Sequence, residues 1–179
     1  MTMKKVGIYG AAGVVFAVLI IAGIMTSGLK LPGFQNQGTL IIKLTDAPVE
    51  LKHLNVTITG LAVQKAEQGV EDGRWIPLSF VDGKTSVYVD ILALQNITLD
   101  LSVTGLAPGN YTKLRMDIST ANATYAEGGT VDLTVPPSHI DIIAHFAIKA
   151  GETTTLLVDF TAHISETNKL SPVLKATVV

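Results

Sequence analysis

The chain has 179 residues, 47% of them apolar and only 16% charged, so it has room for one packed domain and is too apolar to remain disordered. Its formal net charge of −2 offers no basic surface to phosphate backbones, and we expect no nucleic-acid partner. The absence of cysteine excludes disulfides, thiolate metal sites, cysteine nucleophiles and a lipidated cysteine anchor.

The first predicted element is an uncharged apolar stretch over residues 6–25, long enough for a helix that crosses the hydrocarbon core of a membrane. Lys4 and Lys5 precede it, so the positive-inside rule places the N-terminus in the cytoplasm and the remainder outside the cell. We therefore predict three parts: a signal or transmembrane segment over 1–28, a linker over 29–37 and an extracellular domain over 38–179.

Three fates of the apolar segment remain open. Retention would anchor the domain to the cell envelope, whereas signal-peptidase cleavage near Thr26-Ser27-Gly28 would secrete it. A pilin-type cut near Gly7 would instead make the apolar helix the core of a filament, with the domain as its exposed head. The N-terminal residue of the mature protein distinguishes the three.

Beyond Gly38 the apolar residues alternate with polar ones, which is typical of strands with one buried face, and helical periodicity is nearly absent. One clear case is Leu114, Met116 and Ile118, which alternate with charged residues. Only Ile91–Leu94 looks like a helical turn. Turn clusters such as Pro108-Gly109-Asn110 separate about nine or ten such strands. This spacing predicts an all-β fold, a two-sheet antiparallel β-sandwich of the immunoglobulin-like or prealbumin-like kind.

A series of short motifs in fixed order resembles the domain-of-unknown-function family numbered 4382 over nearly all of residues 38–178. The motifs are Thr45-Asp46-Ala47-Pro48, Trp75-Ile76-Pro77-Leu78, Val89-Asp90-Ile91-Leu92, Leu106-Ala107-Pro108-Gly109-Asn110-Tyr111, Val158-Asp159-Phe160 and Leu170-Ser171-Pro172-Val173. The resemblance implies a secreted or membrane-attached bacterial or archaeal β-sandwich with no established activity. The chain lacks the family's usual lipoprotein cysteine, which favours a protein anchor.

Four asparagines lie in Asn-x-Thr sequons, where chance would supply roughly one: Asn55, Asn96, Asn110 and Asn122. The excess indicates N-glycosylation of a surface domain, which many archaea perform. The alternative is that strands rich in threonine create sequons incidentally. We expect glycans on at least two of the four sequons, above all on Asn96 and Asn110, because these two lie nearest to turns, where the backbone is accessible.

No grouping of residues predicts catalysis, a metal or a cofactor. The histidines (His53, His139, His145, His163) have no metal-ligand spacing and form no local triad with a carboxylate. Asp46, Asp90 and Asp159 lie near strand ends, where carboxylates accept backbone N–H bonds, with calcium binding as the alternative. Tyr111 follows a Pro-Gly turn and is expected to pack at a corner with its hydroxyl bonded to the backbone.

These observations predict a non-catalytic, structural or interaction module of the cell envelope, attached to the membrane through residues 6–25 or secreted. Its expected partners are other envelope proteins or surface glycans, and its oligomeric state remains open. A pilin-like filament subunit is the alternative.

Overall fold

A computed structural model describes residues 36–46, 51–66, 74–135 and 139–179. The apolar segment and the linker predicted before them lie outside the described residues, apart from the last two linker positions. Within the described ranges no helix is long and apolar enough to span a membrane. Residues Asn36–Val179 form one compact unit, and its described part contains ten strands and two short 3-10 helices. The all-β prediction is confirmed.

The strands form two sheets. One has four strands in the order β10-β9-β1-β5, and the other has six strands, in which β2 and β6 are the central pair. In the six-stranded sheet, β3 and β4 both pair with β2, while β7 and β8 both pair with β6. The strand bounds are Gly38–Asp46 (β1), His53–Lys65 (β2), Trp75–Pro77 (β3), Val87–Asp90 (β4), Leu99–Leu106 (β5), Gly109–Thr124 (β6), Thr130–Leu133 (β7), His139–Ile148 (β8), Thr153–Thr161 (β9) and Val173–Val178 (β10).

The expectation of purely antiparallel sheets is wrong at one pairing. Strands β1 and β9 run parallel, with Thr39 opposite Thr153 and Asp46 opposite Phe160. The other seven pairings between the ten strands are antiparallel. A parallel pair needs a long connection, and here most of the domain lies between the two strands in the chain.

The two sheets share one apolar core. Every second residue of the long strands points into it, as the alternation predicted: Leu54, Val56 and Ile58 on β2 are fully buried, as are Leu114 and Met116 on β6. The other face of the six-stranded sheet therefore carries the polar residues of the same strands and is directed to solvent. The predicted helical turn is also present, as a 3-10 helix over Ile91–Leu94.

One predicted wet position lies inside the molecule. In β5 the apolar residues Leu99, Leu101 and Val103 alternate with polar ones, which predicts Ser102 on the polar face, but Ser102 is completely buried. The pairing of β5 with β1 shifts between Ile42 and Lys43, so that the neighbouring residues Leu101 and Ser102 are both buried. The Ser102 hydroxyl donates to the carbonyl oxygen of Ser79 at 2.8 Å, which satisfies its hydrogen bonding in the core.

Candidate functional site

The outer face of the six-stranded sheet brings together side chains that are far apart in the chain. Register pairing places Ala62 of β2 opposite Arg115 of β6, and Arg115 opposite Asp141 of β8. Two residues further along the same strands, Gln64 lies opposite Lys113, and Lys113 lies opposite Ile143. Because residues two apart on a strand share a face, these positions lie on one side of the sheet, where Gln64 is buried while Lys113 and Ile143 reach the surface.

A rigid group occupies one end of this face, and we call it the Trp75 cluster: Trp75, Arg115, Asp141 and Ile143. The guanidinium carbon of Arg115 lies 4.0 Å from the centre of the Trp75 ring, a cation–π contact. The same guanidinium donates two hydrogen bonds to Asp141, from Nε to Oδ1 at 2.6 Å and from Nη2 to Oδ2 at 2.8 Å. This two-pronged contact fixes the orientation of both groups.

The charges of the Trp75 cluster support one another. The hydrogen bond from Arg115 lowers the pKa of Asp141 more than burial raises it, and electrostatic attraction to Arg115, His139 and Lys113 lowers it further. In turn, the hydrogen bond to Asp141 raises the pKa of Arg115. Both groups are therefore charged at neutral pH. Beside them, Ile143 exposes 73% of its surface, the largest value among the exposed large apolar residues of the described chain.

The other end of the face carries a line of amide and carboxyl side chains across four strands, which we call the polar row. It runs Asp90 (β4), Asn55 (β2), Asn122 (β6) and Asp132 (β7), each directly opposite the next. The Nδ2 of Asn55 donates to the Oδ1 of Asn122 at 3.1 Å. The two central amides are thus held in place by each other.

Asp90 connects the polar row to the backbone. Its Oδ1 accepts hydrogen bonds from the backbone N–H groups of Leu54 (3.1 Å) and Leu92 (3.3 Å), which caps the 3-10 helix. Its Oδ2 lies 2.7 Å from Nδ1 of His53. This confirms that Asp90 serves as an acceptor for backbone N–H groups. Two residues before it, Tyr88 lies on the same face with 66% of its surface exposed.

Residues 37–172 match the family described as "Domain of unknown function (DUF4382)". The chain belongs to this family. No curated protein matches the chain. One similar solved structure is a "putative cell adhesion protein" from Bacteroides fragilis NCTC 9343, with 13% identity and a TM-score of 0.34. The similarity covers 79% of this chain and 45% of that one, so the chain spans less than half of the length of the neighbour.

In this DUF4382 domain the four sequons lie in different surroundings. Asn55 and Asn122 are half-buried on adjacent strands and bonded to each other. Asn110 is exposed but belongs to β6, opposite Ala147. Asn96 is exposed, lies in the loop between the 3-10 helix and β5, and has a φ of 62°.

The histidines are distributed over the surface. His139 and His145 are exposed on the outer side of β8, and His163 is exposed in the loop after β9. Within the described ranges no group of three or more His, Asp or Glu residues is arranged to hold a metal ion. Asp159 is half-buried on β9, opposite Lys175.

Sequence reasoning did not find the Trp75 cluster. The alternation of β6 does place Arg115 on the polar side, but its partner Asp141 is 26 residues away, and nothing local indicates that pairing. The available signal was the family motif around Trp75, which marks that position without naming its neighbours.

Proposed function

We propose that this DUF4382 domain is a non-catalytic interaction module of the cell envelope, displayed outside the cell by the apolar segment 6–25. It acts by contacting other envelope components through the outer face of the six-stranded sheet. We further propose that its two sheets form a sandwich of the immunoglobulin-like or prealbumin-like kind, since their strands share one core.

The observation that carries this proposal is the rigid Trp75 cluster beside an exposed isoleucine. Tryptophan and arginine are the residue types that most often supply binding energy at protein interfaces, above all where they are already held in one conformation. Here Arg115 is held by Asp141 and by the Trp75 ring before any partner arrives. The exposed side chain of Ile143 provides the apolar area that a partner would cover.

A binding role also fits the chemistry of the titratable groups better than catalysis does. Arg115 and Asp141 neutralise each other, and Asp90 accepts backbone hydrogen bonds as a cap. A catalytic acid or base requires a pKa near the working pH, whereas that of Asp141 is shifted in the opposite direction.

The first experiment tests location in the native cell. Protease added to intact cells should degrade the domain, alkaline washing should leave the chain in the membrane fraction, and the mature protein should begin at Met1 or Thr2. A start near Leu29 would show a secreted protein, whereas a start near Ile8 would show a filament subunit. Either outcome would contradict a retained membrane anchor. Protection from external protease would overturn the proposal of an external domain.

The second experiment tests the interaction face. A photo-crosslinking amino acid placed at Ile143 in the native cell should trap a discrete partner. The matched control is position Thr177, an exposed residue on β10 of the other sheet, where we expect no such product. Equal crosslinking at both positions, or none at position 143, would contradict the assignment of this face.

A further inference from the structure

The polar row differs in chemistry from the Trp75 cluster at the other end of the same face. It combines two carboxylates and two amides in one line, with an exposed phenol ring beside it. We propose that the polar row with Tyr88 is a binding site for a neutral oligosaccharide. This inference rests on the proposed function, since it names one class of partner for that envelope module.

The first argument is hydrogen-bonding capacity. A sugar hydroxyl both donates and accepts, so it is best matched by planar groups that present a donor and an acceptor side by side. The bond between the two amides uses one N–H of Asn55 and the Oδ1 of Asn122. The Oδ1 of Asn55 and the two N–H groups of Asn122 retain capacity for a ligand, as acceptor and donors respectively.

The second argument is preorganisation. Asn55 and Asn122 hold each other across two central strands, and Asp90 is held by His53 and by two backbone N–H groups. Two residues away on the same two strands, the hydroxyl of Thr120 donates a hydrogen bond of 2.8 Å to the hydroxyl of Thr57. A ligand therefore meets side chains whose rotamers are already restricted, which reduces the entropy lost on binding.

The third argument is the position of the aromatic ring. Tyr88 lies opposite Thr57, two residues from Asp90 on the same face of β4. Its ring has a small neighbour in that register position and is 66% exposed, so one side of a sugar ring can lie against it. The polar row spans four strands, about 14 Å at the usual spacing of strands, which suits an oligosaccharide better than a monosaccharide.

Charge decides which saccharides fit. The row ends in Asp90 and Asp132, and the basic group bonded to it is His53, which lies against Asp90. Carboxylates repel uronates and sulfated sugars, so a neutral chain is the expected ligand. Attachment of a glycan to Asn55 or Asn122 would place a sugar on the row itself and is the competing explanation for these two sequons.

The test uses the full chain, produced in a host that lacks N-glycosylation and purified in mild detergent. Neutral tetra- to hexasaccharides of glucose, mannose or N-acetylglucosamine are titrated by calorimetry, with oligogalacturonate as the anionic comparison. We expect binding of at least one neutral series and none of oligogalacturonate. Absence of binding to every neutral series, or tighter binding of oligogalacturonate, would overturn the proposal.

Three variants locate the site. Tyr88→Ala should weaken binding about tenfold, because it removes the stacking ring. Asn122→Asp keeps the acceptor for Asn55 but replaces the donor group, and it should weaken binding about fivefold. The control is Val173→Ala, an exposed apolar residue on β10 of the other sheet, which should leave the affinity unchanged.

Each remaining outcome is decisive. Unchanged affinity in both Tyr88→Ala and Asn122→Asp, with unchanged melting temperatures, would place saccharide binding elsewhere and overturn the assignment. A glycan found on Asn55 or Asn122 of the native protein would do the same. If saccharide binding fails while the crosslink at position 143 persists, this inference is wrong and the proposed interaction module stands.

Discussion

The hydroxyl of Tyr111 donates a hydrogen bond of 2.8 Å to the carbonyl oxygen of Ala107, four residues earlier in the chain. The ring is 1% exposed and stacks on Phe146, with centroids 5.2 Å apart and planes 11° apart. The predicted corner is therefore present: the turn before β6 is tied to the core by one side chain.

We predict that Tyr111→Phe lowers the free energy of unfolding by about 1 kcal/mol, because the Ala107 carbonyl loses its partner while the ring stays in place. That corresponds to a decrease of about 2–4 °C in melting temperature for a domain of this size. Tyr125→Phe is the matched control, since Tyr125 is half-buried and its hydroxyl has no hydrogen bond to any described residue. An equal change in both variants would show that the corner bond contributes nothing specific.

We also predict a loss of stability in alkali that depends on Tyr111. Burial raises the pKa of its hydroxyl above the ordinary value of 10.0. Since the neutral form is favoured in the folded state, this contribution is complete below pH 10 and decreases as the pH rises through the folded pKa. Chemical denaturation should show that the free energy of unfolding decreases less between pH 8 and a pH above 10 for Tyr111→Phe than for the parent chain. Identical pH profiles would exclude Tyr111 as the source.

The ion pair between Arg115 and Asp141 in the Trp75 cluster should have a modest effect on stability. Asp141→Asn should lower the free energy of unfolding by less than about 1 kcal/mol at neutral pH, because the pair is solvent-accessible. Since its pKa is lowered in the folded state, the contribution of Asp141 is present above pH 3.8 and is lost as the pH falls through the folded pKa. At a pH below the folded pKa of Asp141, the parent chain and Asp141→Asn should therefore have the same free energy of unfolding.

Trp75 is the only tryptophan, so its fluorescence reports on this cluster directly. Arg115→Ala should change the emission of Trp75, because it removes the guanidinium 4.0 Å from the ring. Lys113→Ala, on the same face but without a described ring contact, is the control. A spectrum of Arg115→Ala identical to that of the parent would contradict the stacked arrangement.

Gly109→Ala should destabilise the domain more than Gly128→Ala. Gly109 has a φ of 146°, and a Cβ there would lie 2.9 Å from the Cε of Lys65. Strain of about 1 kcal/mol or somewhat more is expected, and it acts two residues before buried Tyr111. Gly128 also has a positive φ, 96°, but its added Cβ would meet nothing within 4 Å, and its exposed turn can relax. Thermal melts of the two variants would decide, and equal melting temperatures would contradict the expected order.

Glycosylation in the native cell should follow the local geometry of the sequons. Asn96 and Thr98 are both exposed outside the strands, so we expect the highest occupancy at Asn96, and lower occupancy at Asn110 within β6. Asn55 and Asn122 should remain unmodified, because each amide is held by the other. Intact-mass and peptide mapping of the parent and of Asn96→Gln would test this. A native mass equal to that of the polypeptide would leave the sequons as a by-product of strands rich in threonine.

The local features of this domain can be predicted from its sequence alone. Alternation with period two is a property of neighbouring residues, so it identified most strands and their buried faces, including Leu114 and Met116 on β6. The Pro-Gly turn before Tyr111 likewise predicted the corner, because both groups that form its hydrogen bond lie within four residues. Family membership followed from motifs in fixed order.

The choice of neighbouring strands, in contrast, is made by the packing of the whole domain. Alternation assigns a side chain to a face but does not name the strand beside it, and pairing depends on packing the whole core at once. The parallel alignment of β1 with β9, the burial of Ser102 and the contact of Arg115 with Asp141 all follow from such long-range choices. The two candidate binding sites exist for the same reason, since the register of β2 on β6 brings Asn55 to Asn122 across 67 residues of chain.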